Sequence, residues 1–137
     1  MGRLLTFACA AALALPAAAA PAGGAYFFQF RTPSGNIGCV AGASYLRCDI
    51  RGGIKPLPPK PKNCPFDWGQ GFALGPKGKA AVVCAGDTAL NRSPHVLRYG
   101  SSWRHGAFTC VSKRVGLRCW NSLRHGFFLS LQRSYRF

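Results

Sequence analysis

The chain has 137 residues, with 18 Lys+Arg against three Asp and no Glu, a formal net charge of +15. Of its 66 apolar residues 17 stand in the first 22 positions, which leaves 115 residues at about 43% apolar. That length fits one domain, is too short for two sizeable cores, and holds too much Leu, Ile, Val and Phe (27 of the 115) for a disordered chain.

Residues 1–22 read as a secretory signal peptide. Arg3 supplies a positive charge, residues 4–15 form an apolar stretch, Pro16 ends it, and small residues follow through Ala22. Cleavage is expected after Ala19 or after Ala22, and lipidation at Cys9 is disfavoured because so little apolar sequence precedes it. No later run reaches membrane-spanning length, so no stable transmembrane anchor is expected. Residues 23–137 are therefore read as a single disulfide-linked β domain, secreted or periplasmic, whose cysteines are oxidised.

Gly and Pro make up 24 of those 115 residues, and no window of about eleven residues carries a helical period. Strands are expected at 26–31, 37–40, 46–50, 71–74, 80–85, 96–99, 107–111, 117–121 and 127–131. Thr32-Pro33-Ser34-Gly35 and Gly75-Pro76-Lys77-Gly78 supply turn chemistry between them. Residues 55–61 hold four prolines and should run extended over the surface outside any sheet. The fold class is all-β, a small disulfide-stapled antiparallel barrel or sandwich of short hairpins.

Six cysteines follow the signal: Cys39, Cys48, Cys64, Cys84, Cys110 and Cys119. They allow fifteen pairings, as any six cysteines do, and an internal repeat chooses among them. Cys39-Val40 with Leu46-Arg47-Cys48 matches Cys110-Val111 with Leu117-Arg118-Cys119 at identical spacing, and each segment reads as a hairpin. In that register the cysteines of each hairpin lie directly opposite, which pairs Cys39 with Cys48 and Cys110 with Cys119 and leaves Cys64 for Cys84. The hairpins would then be related by pseudo-symmetry. Structural zinc is not expected, because no C-x-x-C occurs and the histidines do not share ligand spacing with the cysteines.

The series Phe30-x-Thr32-Pro33-Ser34-Gly35-Asn36-Ile37-x-Cys39, Arg47-Cys48-Asp49-Ile50, Cys64-x-x-Asp67-Trp68-Gly69, Cys84-Ala85-Gly86-Asp87-Thr88 and His125-Gly126-Phe127 resembles a family of small secreted, cysteine-bridged bacterial proteins of uncharacterised function. The resemblance implies an exported disulfide-linked domain and brings no activity with it. The chain departs from the pattern at Arg124, where Gly is expected before His-Gly-Phe.

Three classes of chemistry remain. Asp49, Asp67 and Asp87 are explained by turns or by ion pairs with surplus arginine, and three scattered acids are too few for a calcium cluster. A small secreted hydrolase such as a ribonuclease could use His105 and His125 as proton-transfer groups with Lys113 or Arg124 on the phosphate, although no nuclease motif surrounds either histidine. An inhibitor presenting the Thr32-Pro33-Ser34 or Asn36 loop is a further alternative. The favoured reading is non-enzymatic, with no catalytic residue, cofactor or metal. The nine Lys/Arg between residues 88 and 137 face no acid in that stretch. On the second hairpin the cysteine face also holds Phe108 and Leu117, which turns Arg118 and Trp120 outward together. Arg47, Lys113, Arg114, Arg118, Trp120 and Arg124 are the candidate binding residues for an anionic polysaccharide, a lipid headgroup or another polyanion. The competing account is that an arginine-rich chain uses Arg merely as its solvated residue.

Overall fold

The structure, a computed structural model, describes residues 27–137 together with Gly2. The signal segment and the start of the first expected strand lie outside the described residues. Two five-stranded antiparallel sheets, each in sequential order, carry all the strands described. The first contains β1 (Phe28–Arg31), β2 (Ile37–Ala41), β3 (Leu46–Ile50), β4 (Asp67–Leu74) and β5 (Ala81–Ala85). The second contains β6 (Ser102–His105), β7 (Phe108–Lys113), β8 (Gly116–Trp120), β9 (Gly126–Leu129) and β10 (Ser134–Arg136).

The sandwich follows from alternation along these strands. Cys39, Cys48, Leu46, Phe72 and Leu74 of the first sheet share one buried core with Phe108, Cys110, Leu117, Cys119, Phe127 and Leu129 of the second. The three disulfides are Cys39–Cys48, Cys64–Cys84 and Cys110–Cys119, the pairing expected from the repeat. Both hairpin bridges join directly opposed residues with Cα atoms 4.1 Å apart. Three disulfides fit an oxidising, extracytoplasmic environment, and no helix among the described residues is long and apolar enough to cross a membrane.

The two sheets repeat each other beyond the hairpins. The bridge joins the second and third strand of each sheet, and the fourth strand carries a Gly-Phe step in the same register. Asp49 pairs with Gly71 and Cys48 with Phe72, just as Trp120 pairs with Gly126 and Cys119 with Phe127. Neither glycine can carry a side chain, because a Cβ would fall 1.9 Å from the Cys48 carbonyl oxygen at Gly71 and 2.0 Å from that of Cys119 at Gly126. Across the core Phe30 meets Trp103 at 4.8 Å and Phe72 meets Phe127 at 5.6 Å, so the halves present matching rings to each other.

Three local expectations need correction. Residues 96–99 form only a single parallel bridge, Val96 to Arg31. The chain then turns, with the Ser101 N–H donating to the Arg98 carbonyl and Gly100 at φ +83°, and the strand begins at Ser102 instead. The last expected strand stops at Leu129 because Ser130 closes a turn: its N–H and hydroxyl donate to the Arg133 carbonyl, and the chain returns as β10. Strand β4 starts four residues earlier than expected, at Asp67, and tolerates this through an irregularity between Trp68 and Phe72 with Gly69 at φ +83°. The proline segment runs outside the sheets as expected, tied down by the Trp68 indole donating to the Pro58 carbonyl and the Ser134 N–H donating to that of Lys55.

Candidate functional site: the outer face of the second sheet

With the disulfide side turned to the core, the other side of β7–β10 faces solvent. Register places its side chains in two rows across the strands. One row runs Val111, Arg118, Phe128, Tyr135; the other runs Thr109, Trp120, Gly126, with Phe137 beside Gly126 through a reciprocal pair of main-chain hydrogen bonds. Because Gly126 has no side chain, a gap remains between Trp120 and Phe137, lined by Arg118, Trp120, Arg124 and Phe137. The first row floors a larger groove of ≈ 830 Å³, edged by Lys113, Arg114 and Arg133.

The cations here are covered by rings rather than by acids. Arg118 lies over the Phe137 ring at 3.8 Å, Arg114 over Tyr99 at 5.1 Å, and Arg133 reaches Tyr135 at 5.6 Å and Phe128 at 5.9 Å. Phe128 and Tyr135 stack on each other at 5.1 Å. A ring neutralises no charge, and it leaves the edge N–H groups of a guanidinium free to meet a carboxylate, sulfate or phosphate. Among the described residues every ion pair involves Arg47, so the face keeps its positive potential.

Of the expected binding residues, Lys113, Arg114, Arg118 and Trp120 come together in the large groove. Arg124 joins Arg118 and Trp120 at the gap, and its backbone is left-handed at φ +65°. Asn121 holds that turn. Its carbonyl accepts from the Arg124 N–H, its side-chain oxygen accepts from the Leu123 and His125 N–H groups, and its amide donates to the Gly75 and Gly78 carbonyls of the β4–β5 turn.

Arg47 does not belong to this group. It stands on the first sheet, where its guanidinium contacts Asp49 and Asp87, each at 2.7 Å, and it donates to the Asp87 carbonyl as well. Burial works against its charge, but the hydrogen bonds it donates to the two carboxylates, with their charge, outweigh that and hold its pKa above the usual value. In return the Arg47 hydrogen bond and charge hold the Asp87 carboxyl below the ordinary carboxylate range. Arg133, Phe128, Tyr135 and Phe137 were missed from the sequence. The signal was present in Phe127-Phe128, where the buried and outward residues of one strand are both aromatic, but the following turn hid the strand that carries Tyr135.

The two histidines are placed differently. The His105 ring packs on Phe28 at 4.4 Å, while the His125 main chain exchanges hydrogen bonds with Asn121. Neither lines the groove or the gap. No group of three or more His, Cys, Asp or Glu among the described residues could hold a metal ion.

Fold and site together define a disulfide-stapled β-sandwich with one cationic, aromatic outer face. Its family is the family of unknown function DUF6636, whose model matches residues 8–137, and the chain belongs to it. Searches among curated proteins and among solved structures find no match.

Proposed function

We propose that the protein is an exported, non-enzymatic binding domain that captures an anionic ligand on the outer face of its second sheet. The observation that carries this reading is the convergence of Lys113, Arg114, Arg118 and Trp120 in one groove of ≈ 830 Å³, rimmed by a further cation, Arg133, and lined by no acid. Binding would combine charge complementarity at the guanidinium edges with stacking on Trp120, Phe128 and Tyr135. The disulfide across β7 and β8 holds the floor rigid, so little ordering entropy is lost on binding.

Retention on immobilised heparin, eluted with salt, tests the proposal. Binding should weaken steeply with ionic strength, as it does wherever cations meet a polyanion. Joint substitution Arg118→Ala and Trp120→Ala should lower the eluting salt concentration more than joint Lys60→Ala and Lys62→Ala, although the first pair removes one charge and the second removes two. Equal effects, or a larger effect of the lysines, would reduce the interaction to net charge and overturn the proposal.

A further inference from the structure

The pseudo-symmetry of the sandwich carries one further inference, because the two halves treat the same outer face differently. Arg47 and Arg118 occupy equivalent positions in the repeat, as do Asp49 and Trp120, and Gly38 and Thr109. On the first sheet this face is covered by the protein's own chain, the extended segment that follows β5. Its Asp87 carboxylate sits on Arg47 at 2.7 Å. Two residues on, the Ala89 N–H donates to Asp49 at 2.8 Å, and the main chain at residues 89–91 packs so closely on Gly38 that a Cβ there would lie 2.5 Å from the Ala89 carbonyl oxygen. Asn91 then donates to the Phe30 and Cys39 carbonyls at the far strands of the sheet.

The equivalent path across the second sheet is covered by no segment among the described residues. It passes from Arg118 and Phe137 over Trp120 to Thr109 and Arg104, and clefts bordered by these side chains mark it. Where the first half balances its arginine with an acid from the same strand, the second half has an indole. The charge on Arg118 is therefore left for an outside group.

We infer that this face binds an acidic, extended polypeptide segment of a partner protein, laid across β8 and β7 as residues 86–91 lie across β3 and β2, with an Asp or Glu carboxylate on Arg118. The inference rests on the anion-binding reading above and names the ligand class for the same face. Trp120 in place of Asp49 replaces a carboxylate that accepts a main-chain N–H with an apolar surface, so the residues after the acid should be apolar and stack on the indole. Thr109 in place of Gly38 holds the segment further from the sheet. A permanent cover on one half becomes a reversible contact on the other.

The test uses the peptide Ala-Gly-Asp-Thr-Ala-Leu, blocked at both ends and copied from residues 85–90, added to isotopically labelled protein. Saturable amide shifts are expected at Val111, Arg118 and Trp120, and the peptide with Asn for Asp should bind about tenfold more weakly, the loss expected for one charge-assisted pair. Arg118→Gln removes the cation proposed to meet the acid and should abolish the shifts at Val111 and Trp120, whereas Trp120→Phe keeps an aromatic surface and should keep the binding. If a heparin oligosaccharide shifts these residues and the peptide does not, the polypeptide inference fails while anion binding stands. If neither does, both fail. Shifts at the same residues on raising protein concentration alone would assign the face to a second copy and overturn the inference.

Discussion

Arg124 is the position where stability and binding should pull in opposite directions. Its φ of +65° lies in the left-handed region, which costs a non-glycine residue about 1–2 kcal/mol. Arg124→Gly removes that cost but raises the entropy of the unfolded chain, which takes back about 0.5–1 kcal/mol. The net expectation is a gain of about 0.5–1 kcal/mol, or about 2–5 °C in melting temperature for a domain of this size. Arg124→Ala supplies the control, since it removes the same charge and keeps the strained backbone. Thermal unfolding followed by circular dichroism should rank Gly above both Ala and the parent. Heparin retention of the same proteins should fall equally for Gly and Ala, because Arg124 borders the gap beside Arg118 and Trp120. A Gly variant no more stable than the Ala variant would refute the backbone argument. Unchanged retention in both would remove Arg124 from the site.

Two further outcomes are expected. The Ser112 hydroxyl is buried on the core face with no hydrogen-bond partner among the described residues, and the repeat places Ala41 at the equivalent position; Ser112→Ala should therefore stabilise the protein by about 1 kcal/mol in denaturant titration, and a loss of that size would reveal a partner for the hydroxyl. The Asp87 carboxyl has its pKa lowered in the folded state by Arg47, so its contribution is present above the ordinary value of 3.8 and is lost as pH falls through the lower folded value. Melting curves should accordingly separate the parent from Asp87→Asn near neutrality and converge well below pH 3.8, and a constant gap across that range would contradict the assignment.

Much of the scaffold was legible in the sequence because the cysteine repeat couples spacing to register. Once Cys39 faces Cys48, alternation sends Leu46 inward and Arg47 outward, and the same holds for Leu117 and Arg118 about Cys119. The short edge strands were harder to see. Ser102–His105 alternates polar with half-buried residues, and Ser134–Arg136 spans three residues, too few for a period to declare itself. The fate of Arg47 was only partly open to local reading. Its immediate neighbours match those of Arg118; Asp49, where the repeat has Trp120, supplies one partner two residues on, and the return of Asp87, 40 residues later in the chain, supplies the other.

That divergence explains why so basic a chain retains a charged face at all. Asp49 is 1% exposed, and a buried carboxylate is stable only when its oxygens are satisfied. Arg47, the Ala89 N–H and the Thr88 hydroxyl meet that need, and together with Asp87 they bind the connecting segment to the first sheet. Trp120 makes no such demand, and among the described residues no equivalent hydrogen bonds draw a segment onto the second sheet. Two of the three acids are spent on Arg47, and Phe137, Tyr99 and Tyr135 cover Arg118, Arg114 and Arg133 without cancelling their charge. With Trp120 standing where the repeat has Asp49, no acid among the described residues pairs with Arg118, which fits a counter-charge supplied by a bound ligand. The repeat also predicts where that counter-charge should sit, at the edge of Arg118, where Asp87 sits on Arg47.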